Sequence, residues 1–600
     1  MQDYKAPLRD MQFVLFELLD VEKHYQQLPA HKDVTRELLD AVIQEAAKFA
    51  ENVLSPLYQS GDEEGCSLSP EGVVTTPSGF KEAYQQYVAN GWPAMSAPEE
   101  MGGQGLPHSF GGIVNNELIG SANWAWSMYP GLSHGAKVTI ETHGSPEQQN
   151  LYLPKMVEGS WTGTMCLTEA HSGTDLGLLR TKAEPNPDGS YSITGTKIFI
   201  SAGDHDLAEN IVHIVLARLP DAPGGTKGIS LFIVPKFTPN ADGEAGDRNA
   251  VSCGSIEHKM GINGSATCVL NFDGATGYLI GEPNRGLAAM FTFMNTARVG
   301  TAIQGLCSAE RAYQGALAYA RERLQMRSLS GPKNPEAAAD PIIVHPNVRR
   351  MLLTQKAFAE GGRAFIYWLG TLLDVMHDGE EEAAKQCEDL LSFLTPIAKA
   401  FLTETGLEAA SYGVQVYGGH GYIKEWGMEQ IARDARIATI YEGTTGVQSI
   451  DLIGRKVLGS GGELLKNYTK IIHQFCKQHG DDADLAEFVE PLNAINKELG
   501  ELTMHIGGKA MENAEEAGAA SVDYLMYSGY IVLAHMWAQM AAVANAKLAA
   551  GTEEEDFYRA KITTARLYYQ RLLPRTLAHK AAIMAGAQSL MELDEAHFKF

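Results

Sequence analysis

Apolar residues recur at helical spacing over residues 33–54, where Leu38, Leu39, Val42, Ile43, Ala46, Phe49, Ala50 and Val53 form one stripe. The same period predicts helices over 79–89 and 113–123. Glycine and proline punctuate 91–107, which reads as a long loop. Up to about residue 160 the chain is mostly helical. The pattern then shortens. β-Rich runs at 162–168, 191–194, 197–201, 211–218, 229–235 and 266–272 alternate with turn residues such as Pro187-Asp188-Gly189 and Gly224-Gly225. They predict one antiparallel β domain over about 161–282. Helical periodicity returns after Gly286, with long helices over 288–323, 347–377, 380–416 and 428–436. A proline-rich interruption at 328–346 separates the first two. Gly459-Ser460-Gly461-Gly462 is a short break. The residues beyond it are helical again, with a stretch at 534–550 rich in Ala and Met that should be buried. The result is an α+β chain of four segments: an N-terminal helical domain (1–160), a middle β domain (161–282), a helical bundle (283–458) and an additional helical domain (459–600).

Composition narrows the function. A chain of 600 residues is long enough for roughly three to four domains. Its apolar and charged fractions, 44% and 20%, are globular and exclude wholesale disorder. The formal charge of −25 excludes tracking along nucleic acid, which needs clustered Lys and Arg. It also means that any polyanionic ligand must find local positive charge. The seven cysteines are scattered and form no CxxC pair, which argues against a disulfide framework or a thiolate zinc site. Residues 1–10 show no signal peptide, and no apolar run is long enough to span a membrane. The expectation is a cytoplasmic protein with no integral membrane association.

Four motifs carry candidate chemistry. Residues 166–175, CLTEAHSGTD, lead from a strand into a loop of hydroxyls and N–H groups. That surface suits a polar ring edge or a phosphate, though an ordinary polar turn has the same composition. Residues 197–201, KIFIS, give Phe199 and Ser201 the same strand parity, one to stack and one to donate a hydrogen bond. A core Phe beside a surface Ser reads equally well. Residues 415–422, QVYGGHGY, end a helix with consecutive glycines, which either stop the helix or allow close approach to a bulky ligand. Residues 437–446, IATIYEGTTG, set Glu442 among Ile437, Ala438, Ile440 and Tyr441. Apolar neighbours raise a carboxyl pKa toward that of a useful base, and Gly443 lets a substrate approach the backbone. A solvated helix-end Glu is the alternative. Residues 189–197, GSYSITGTK, miss the phosphate-loop spacing, and neither a metal spacing nor a hydrolase elbow occurs.

In this order, on an α–β–α layout, the four motifs resemble the acyl-CoA dehydrogenase flavoproteins over roughly residues 35–455. Leu178 departs from the family's usual small residue. The length, the insertion with His345-Pro346-Asn347-Val348-Arg349-Arg350 and the helical tail resemble the long bacterial subgroup, which includes fatty acyl-CoA and 3-methylmercaptopropionyl-CoA dehydrogenases. The resemblance implies an FAD-dependent oxidoreductase of fatty acid β-oxidation. It would convert an acyl-CoA, of medium or long straight chain, to a trans-2-enoyl-CoA and pass electrons to an electron-transfer flavoprotein. It implies that Met165, Leu167 and Thr168 contact the FAD ring and that Phe199 and Ser201 stack and bond there, where the family usually has Trp and Thr. Arg323 and Gln325 would bind FAD, Arg323 reaching its phosphate across a subunit interface. Gln415, Gly418 and Gly419 would hold the adenine end, and Thr444 would complete the pocket. Thr174, Asn295, Arg298, Tyr441 and Gly443 would bind substrate. Glu442 would be the base. Ala297 stands where some members carry the base instead, which strengthens Glu442. No metal is implied.

Alternatives on the same scaffold are a 3-methylmercaptopropionyl-CoA dehydrogenase and an acyl-CoA oxidase; a non-catalytic acyl-CoA-binding protein is a third. Near 117–129, Trp124, Trp126 and Tyr129 would shorten an acyl pocket, whereas Ala125, Ser127 and Gly131 would leave room. The tail's Arg559, Lys561, Arg566, Arg571, Arg575 and Lys580 read as interdomain ion pairs ahead of a membrane-surface patch. A tail covering the surface where shorter relatives pair their dimers predicts a homodimer.

Overall fold

The helical stripe at 33–54 forms α1 (Arg36–Phe49), which runs on as a π-helical turn over Ala50–Leu54. The computed structural model describes residues 3–599. Their contacts sort into two compact units: 3–6 with 42–300, and 7–41 with 301–599. Among the described residues no helix is long and apolar enough to cross a membrane.

The helices of the unit built from 42–300 include α2 (Phe80–Ala89), α3 (Asn115–Ala122), α4 (Trp124–His143) and α5 (Pro146–Glu158). The Asn123 side chain caps α4 by accepting from Trp126 N at 3.1 Å. A capping box of Ser145 and Gln148, with Pro146 in the first turn, starts α5. Trp126 and Tyr129 are fully buried. Trp126 donates to Phe80 O at 3.1 Å and Tyr129 to Gly264 O at 3.1 Å. These rings therefore belong to the core. Gly131 is exposed instead, and a Cβ at that position would meet nothing within 4 Å.

The sheet follows: β1 (Trp161–Cys166), β2 (Lys182–Pro185), β3 (Tyr191–Ser201), β4 (Asn210–Ala217), β5 (Ser230–Pro235), β6 (Val251–Ile256) and β7 (Thr267–Ile280). The order is β1-β4-β5-β7-β3-β2, with β6 also on β7. One pair departs from the expected antiparallel domain: β1 and β4 run parallel. The connection between them carries β2 and β3 and is long enough for a crossover. The runs at 191–194 and 197–201 are one strand; Gly195 and Thr196 merely interrupt the apolar pattern. A Cβ on Gly195 would lie 2.5 Å from Thr181 Oγ1, so that position serves close packing.

The other unit contains α6 (Gly286–Glu322) from residue 301 on, then α7 (Pro346–Asp378), α8 (Glu381–Tyr417), α9 (Met428–Arg436) and α10 (Thr445–Ile450). The tail adds α11 (Glu463–Gln478), α12 (Ala486–Glu512), α13 (Glu515–Ala550), α14 (Glu555–Leu567) and α15 (Thr576–Ala585). Helices α6 and α8 touch backbone to backbone. A Cβ on Gly305 would lie 2.2 Å from Leu402 O, and one on Gly406 2.4 Å from Gly305 O. In α13 the Ala/Met stretch is buried over 534–538, 540, 541 and 544, and Ala546, Lys547, Ala549 and Ala550 are exposed.

Of the six basic residues of the tail, Arg571 is exposed and the other five are paired with acids; only Lys561 and Arg575 reach acids outside the tail. Arg566 meets Glu487 at 2.7 Å, Arg575 meets Glu408 at 2.7 Å and Arg559 meets Glu555 at 3.0 Å, while Lys580 pairs with Glu498. Lys561 is 2% exposed; it pairs with Asp10 and reaches Glu360 at 2.8 Å. Arg363, fully buried, pairs with the same Asp10 and with Glu310 at 2.7 Å. Arg9 sits 4.0 Å over the Phe557 ring. Residues 8–18 are thereby fastened to α7 and α14. Burial pushes the Asp10 carboxyl up, but Lys561 and Arg363 beside it outweigh that and hold it at about 2. Asp10→Asn should cost about 3–5 kcal/mol in chemical denaturation, because it leaves two buried cations under-compensated. Glu487→Gln, at the exposed Arg566 pair, should cost under ~1 kcal/mol. The Asp10 contribution is complete above the ordinary carboxyl pKa of about 4 and is lost as pH falls toward 2. The gap between wild type and Asp10→Asn should therefore be full at pH 6 and shrink steadily in titrations below pH 4.

Candidate active site

In the unit of 42–300 the first two motifs are joined. Beyond β1, Thr168 O accepts from Ile198 N at 2.9 Å. Lys197, fully buried, donates to Leu167 O at 3.0 Å and to Glu169 at 2.9 Å. Glu169 is itself buried and accepts from Arg180 N (2.7 Å), Thr181 N (3.0 Å) and Thr181 Oγ1 (2.6 Å). Burial pushes this carboxyl up, but Lys197 and the Thr181 hydroxyl outweigh that and hold it at about 2. Glu169 is thus the knot of the loop. Glu169 and Ser172 exchange backbone hydrogen bonds at 2.9 and 3.0 Å, which leaves Thr174 on the exposed side.

β3 bulges opposite β7. Lys197 faces Leu270 and Ile200 faces Cys268, so β3 carries an extra residue there. The bulge puts Phe199 at φ +59° and leaves it 59% exposed. Ile200 is buried between Phe199 and the half-buried Ser201. Met165, Leu167 and Thr168 are half-buried alongside. An exposed aromatic face next to a strand end of this kind fits a planar heteroaromatic ring. Met165 and Leu167 pack with Met294 and Ala297 of α6 against one apolar core. One turn along, Arg298 is buried and donates to the exposed Asn295 at 3.4 Å.

The other unit holds the remaining candidates. Arg323 and Gln325 are exposed just beyond α6, on a return loop knotted by Asp340. The Asp340 carboxylate accepts from Ser328 N (2.8 Å), Lys333 N (2.9 Å) and Asn334 N (2.8 Å) and pairs with Arg327 at 3.2 Å. Those backbone N–H groups hold it at about 2. The proline-rich interruption is therefore an ordered loop. Gln415 is exposed near the end of α8, and Gly418 breaks the helix at φ +60°. Tyr417 stacks on Tyr319 of α6 at 4.2 Å, and His420 bonds the Tyr319 hydroxyl at 2.9 Å. The helix ends leading to Arg323 and to Gly418–Gly419 are thus brought together.

Glu442 is not a helix-end residue. It lies between α9 and α10 at φ +57°, followed by Gly443 at φ +88°. A left-handed backbone on a non-glycine residue costs roughly 1–3 kcal/mol and clusters at functional sites. Lys399 of α8 donates to Gly443 O at 2.6 Å, and Gln448 of α10 to Glu442 O at 2.9 Å. Tyr441 donates to Gln304 at 2.5 Å. Thr444 caps α10 by accepting from Val447 N at 3.2 Å. The surroundings are less apolar than the motif suggests: Ile440 is 46% exposed, and a buried lysine lies one residue away.

Sequence comparison decides the family. Residues 36–160, 164–275 and 284–458 match the models of the acyl-CoA dehydrogenase N-terminal, middle and C-terminal domains, and 468–594 match an acetyl-CoA dehydrogenase C-terminal-like domain. The chain is 41% identical to a 3-methylmercaptopropionyl-CoA dehydrogenase of Ruegeria pomeroyi, covering 98% of this chain and 99% of that one. It belongs to the acyl-CoA dehydrogenase family. A broad-specificity linear acyl-CoA dehydrogenase, FadE5 of Mycobacterium tuberculosis, is 33% identical over the full length of both chains. An acyl-CoA dehydrogenase of Bacillus anthracis, solved in complex with FAD, shares the fold with a TM-score of 0.71. It is 22% identical, covering 94% of this chain and 90% of that one.

Three residues of this acyl-CoA dehydrogenase escaped the motif reading, Asp340, Lys399 and Gln448, while Glu169 stood in the first motif without a role of its own. Lys399 carried a signal, as the one charge in the apolar run 393–402. Glu169→Gln should leave Lys197 buried without its counter-charge. The expected loss is about 3–5 kcal/mol, read as a lower denaturation midpoint together with faster proteolysis within 169–181.

Proposed function

We propose that this chain is an FAD-dependent acyl-CoA dehydrogenase that oxidises the α,β bond of an acyl-CoA thioester to a trans-2-enoyl-CoA, with Glu442 as the base. The observation that carries this is the Glu442 turn: a carboxylate on a strained backbone, followed by a glycine and held from both sides. FAD, when bound, supplies the two-electron acceptor that no side chain offers. On this reading Phe199 stacks on its ring and Ser201 hydrogen-bonds at its edge, with Met165, Leu167 and Thr168 bordering it. Arg323 reaches its phosphate from a second copy of the chain in a homodimer, Gln325 also binds it, and Gln415, Gly418 and Gly419 hold its adenine end. Thr444 completes the pocket. Thr174, Asn295, Arg298, Tyr441 and Gly443 border the acyl-CoA.

An α-proton of a thioester is too weakly acidic for a free carboxylate. Glu442 can take it only if the enolate oxygen is stabilised as it forms. The Glu442 N–H is a suitable donor, and one such donor is worth about 3–4 kcal/mol. The four segments divide the work at about 160, 282 and 458, with an electron-transfer flavoprotein as acceptor. The burial of Trp126 and Tyr129 and the openness at Gly131 favour a straight medium or long acyl chain. The 41% identity to a 3-methylmercaptopropionyl-CoA dehydrogenase favours that substrate as the second reading.

Anaerobic mixing of the yellow holoenzyme with acyl-CoAs of graded length, 3-methylmercaptopropionyl-CoA included, should bleach the flavin. The most reactive thioester names the substrate. Bleaching that persists until an electron-transfer flavoprotein is added supports a dehydrogenase, and rapid reoxidation in air would make it an oxidase. No bleaching with any acyl-CoA would leave a binding protein. Glu442→Gln should retain flavin and lose at least about 1,000-fold in turnover; near-normal turnover would show another base.

A further inference from the structure

The turn that carries Glu442 has two successive left-handed residues, and its two carbonyls are fastened from different helices. Gln448 on α10 holds the Glu442 carbonyl and Lys399 on α8 holds the Gly443 carbonyl, at 2.9 and 2.6 Å. Both side chains are fully buried. A Cβ on Gly443 would lie 2.5 Å from Gln448 Nε2, so the glutamine amide also fills the space under the turn. A third tie runs to the same helix as the lysine: Thr445 donates to Glu404 of α8 at 2.5 Å.

We propose that Lys399 and Gln448 are positioning residues that lock the Glu442–Gly443 turn in its proton-abstracting conformation. This rests on Glu442 being the base. The two carbonyls belong to the peptide planes on either side of Gly443. Fixing both planes fixes the most flexible residue of the turn, and with it the direction of the Glu442 side chain. A lysine suits the task better than a neutral donor. Its bond to a carbonyl is charge-assisted and, away from water, strong. Its need for acceptors also opposes the relaxation of the strained backbone. Neither side chain has to touch substrate. Their effect is on the placement of the carboxylate, and a displacement of about 1 Å can cost on the order of 100-fold in rate.

Lys399→Met and Gln448→Met are compared with wild type and Glu442→Gln as holoenzymes. The flavin-to-protein ratio, the Kd of the acyl-CoA and the rate constant of anaerobic flavin reduction are measured with protiated and α-deuterated substrate. Amide exchange over 442–447 is followed without substrate. Each variant should keep its flavin and bind acyl-CoA within threefold of wild type. Reduction should slow at least about 30-fold, with an increased isotope effect, and exchange in the turn should quicken at least about tenfold. Reduction within threefold of wild type in both variants overturns the proposal, as does a loss confined to flavin content or acyl-CoA affinity. If Lys399→Met does not fold, Gln448→Met carries the same test without leaving a buried charge. Wild type that no acyl-CoA reduces, or Glu442→Gln that reduces normally, would instead refute the base assignment. Normal Lys399 and Gln448 variants beside a silent Glu442→Gln would refute this inference alone.

Discussion

A cation taken out of water loses several kcal/mol of solvation and must be met by carboxylates or carbonyls. Lys197, Arg363, Lys399 and Lys561 are all in that position, none more than 2% exposed. Two of them end where irregular backbone has to be held, and two where one helical segment is fastened to others. Lys197 ties the loop after β1 to β3, and Lys399 ties the Glu442 turn to α8. Arg363 and Lys561 tie residues 8–18 to α7 and α14 through Asp10. Apolar packing sets the helices and the sheet, but it has no grip on a polar turn. In this chain the grip comes from buried charge.

The same arrangement separates interior from surface charge in a chain of net charge −25. The surplus acid is outside, on exposed stretches such as 380–382, 481–484 and 553–556. Among the acids that lie inside, Asp10, Glu169, Glu310 and Glu360 are matched to specific cations. Arg298 is buried beside Asn295, and Arg323 is exposed just beyond α6.

Local order was largely legible in the sequence. Helix 428–436 is read to the residue because its polar and apolar faces separate cleanly, and α7 and α8 are read to within a residue or two at each end. The four motifs could be found because each is contiguous. What was hidden depends on partners distant in the chain. The amphipathic code says nothing of the parallel β1–β4 pair, of the bulge that turns Phe199 outward, or of β6, whose VSCGSI has few apolar residues. Lys399 and Gly443 are 44 positions apart, and nothing near either announces the other. Asp340 sits in a segment whose prolines suggest a plain linker, yet its carboxylate organises the whole return of the loop.

The bond between Asp10 and Lys561 spans 551 positions of the chain. During synthesis, residues 42–300, which form a compact unit with 3–6, can fold while the rest is being made. Residues 7–41 have to wait. Their carboxylate and aromatic rings find α7 only after residue 378 and α14 only after residue 567 has left the ribosome. A segment made early is thus secured late, and until then Phe13 and Val14 are apolar surface that chaperones or proteases can reach.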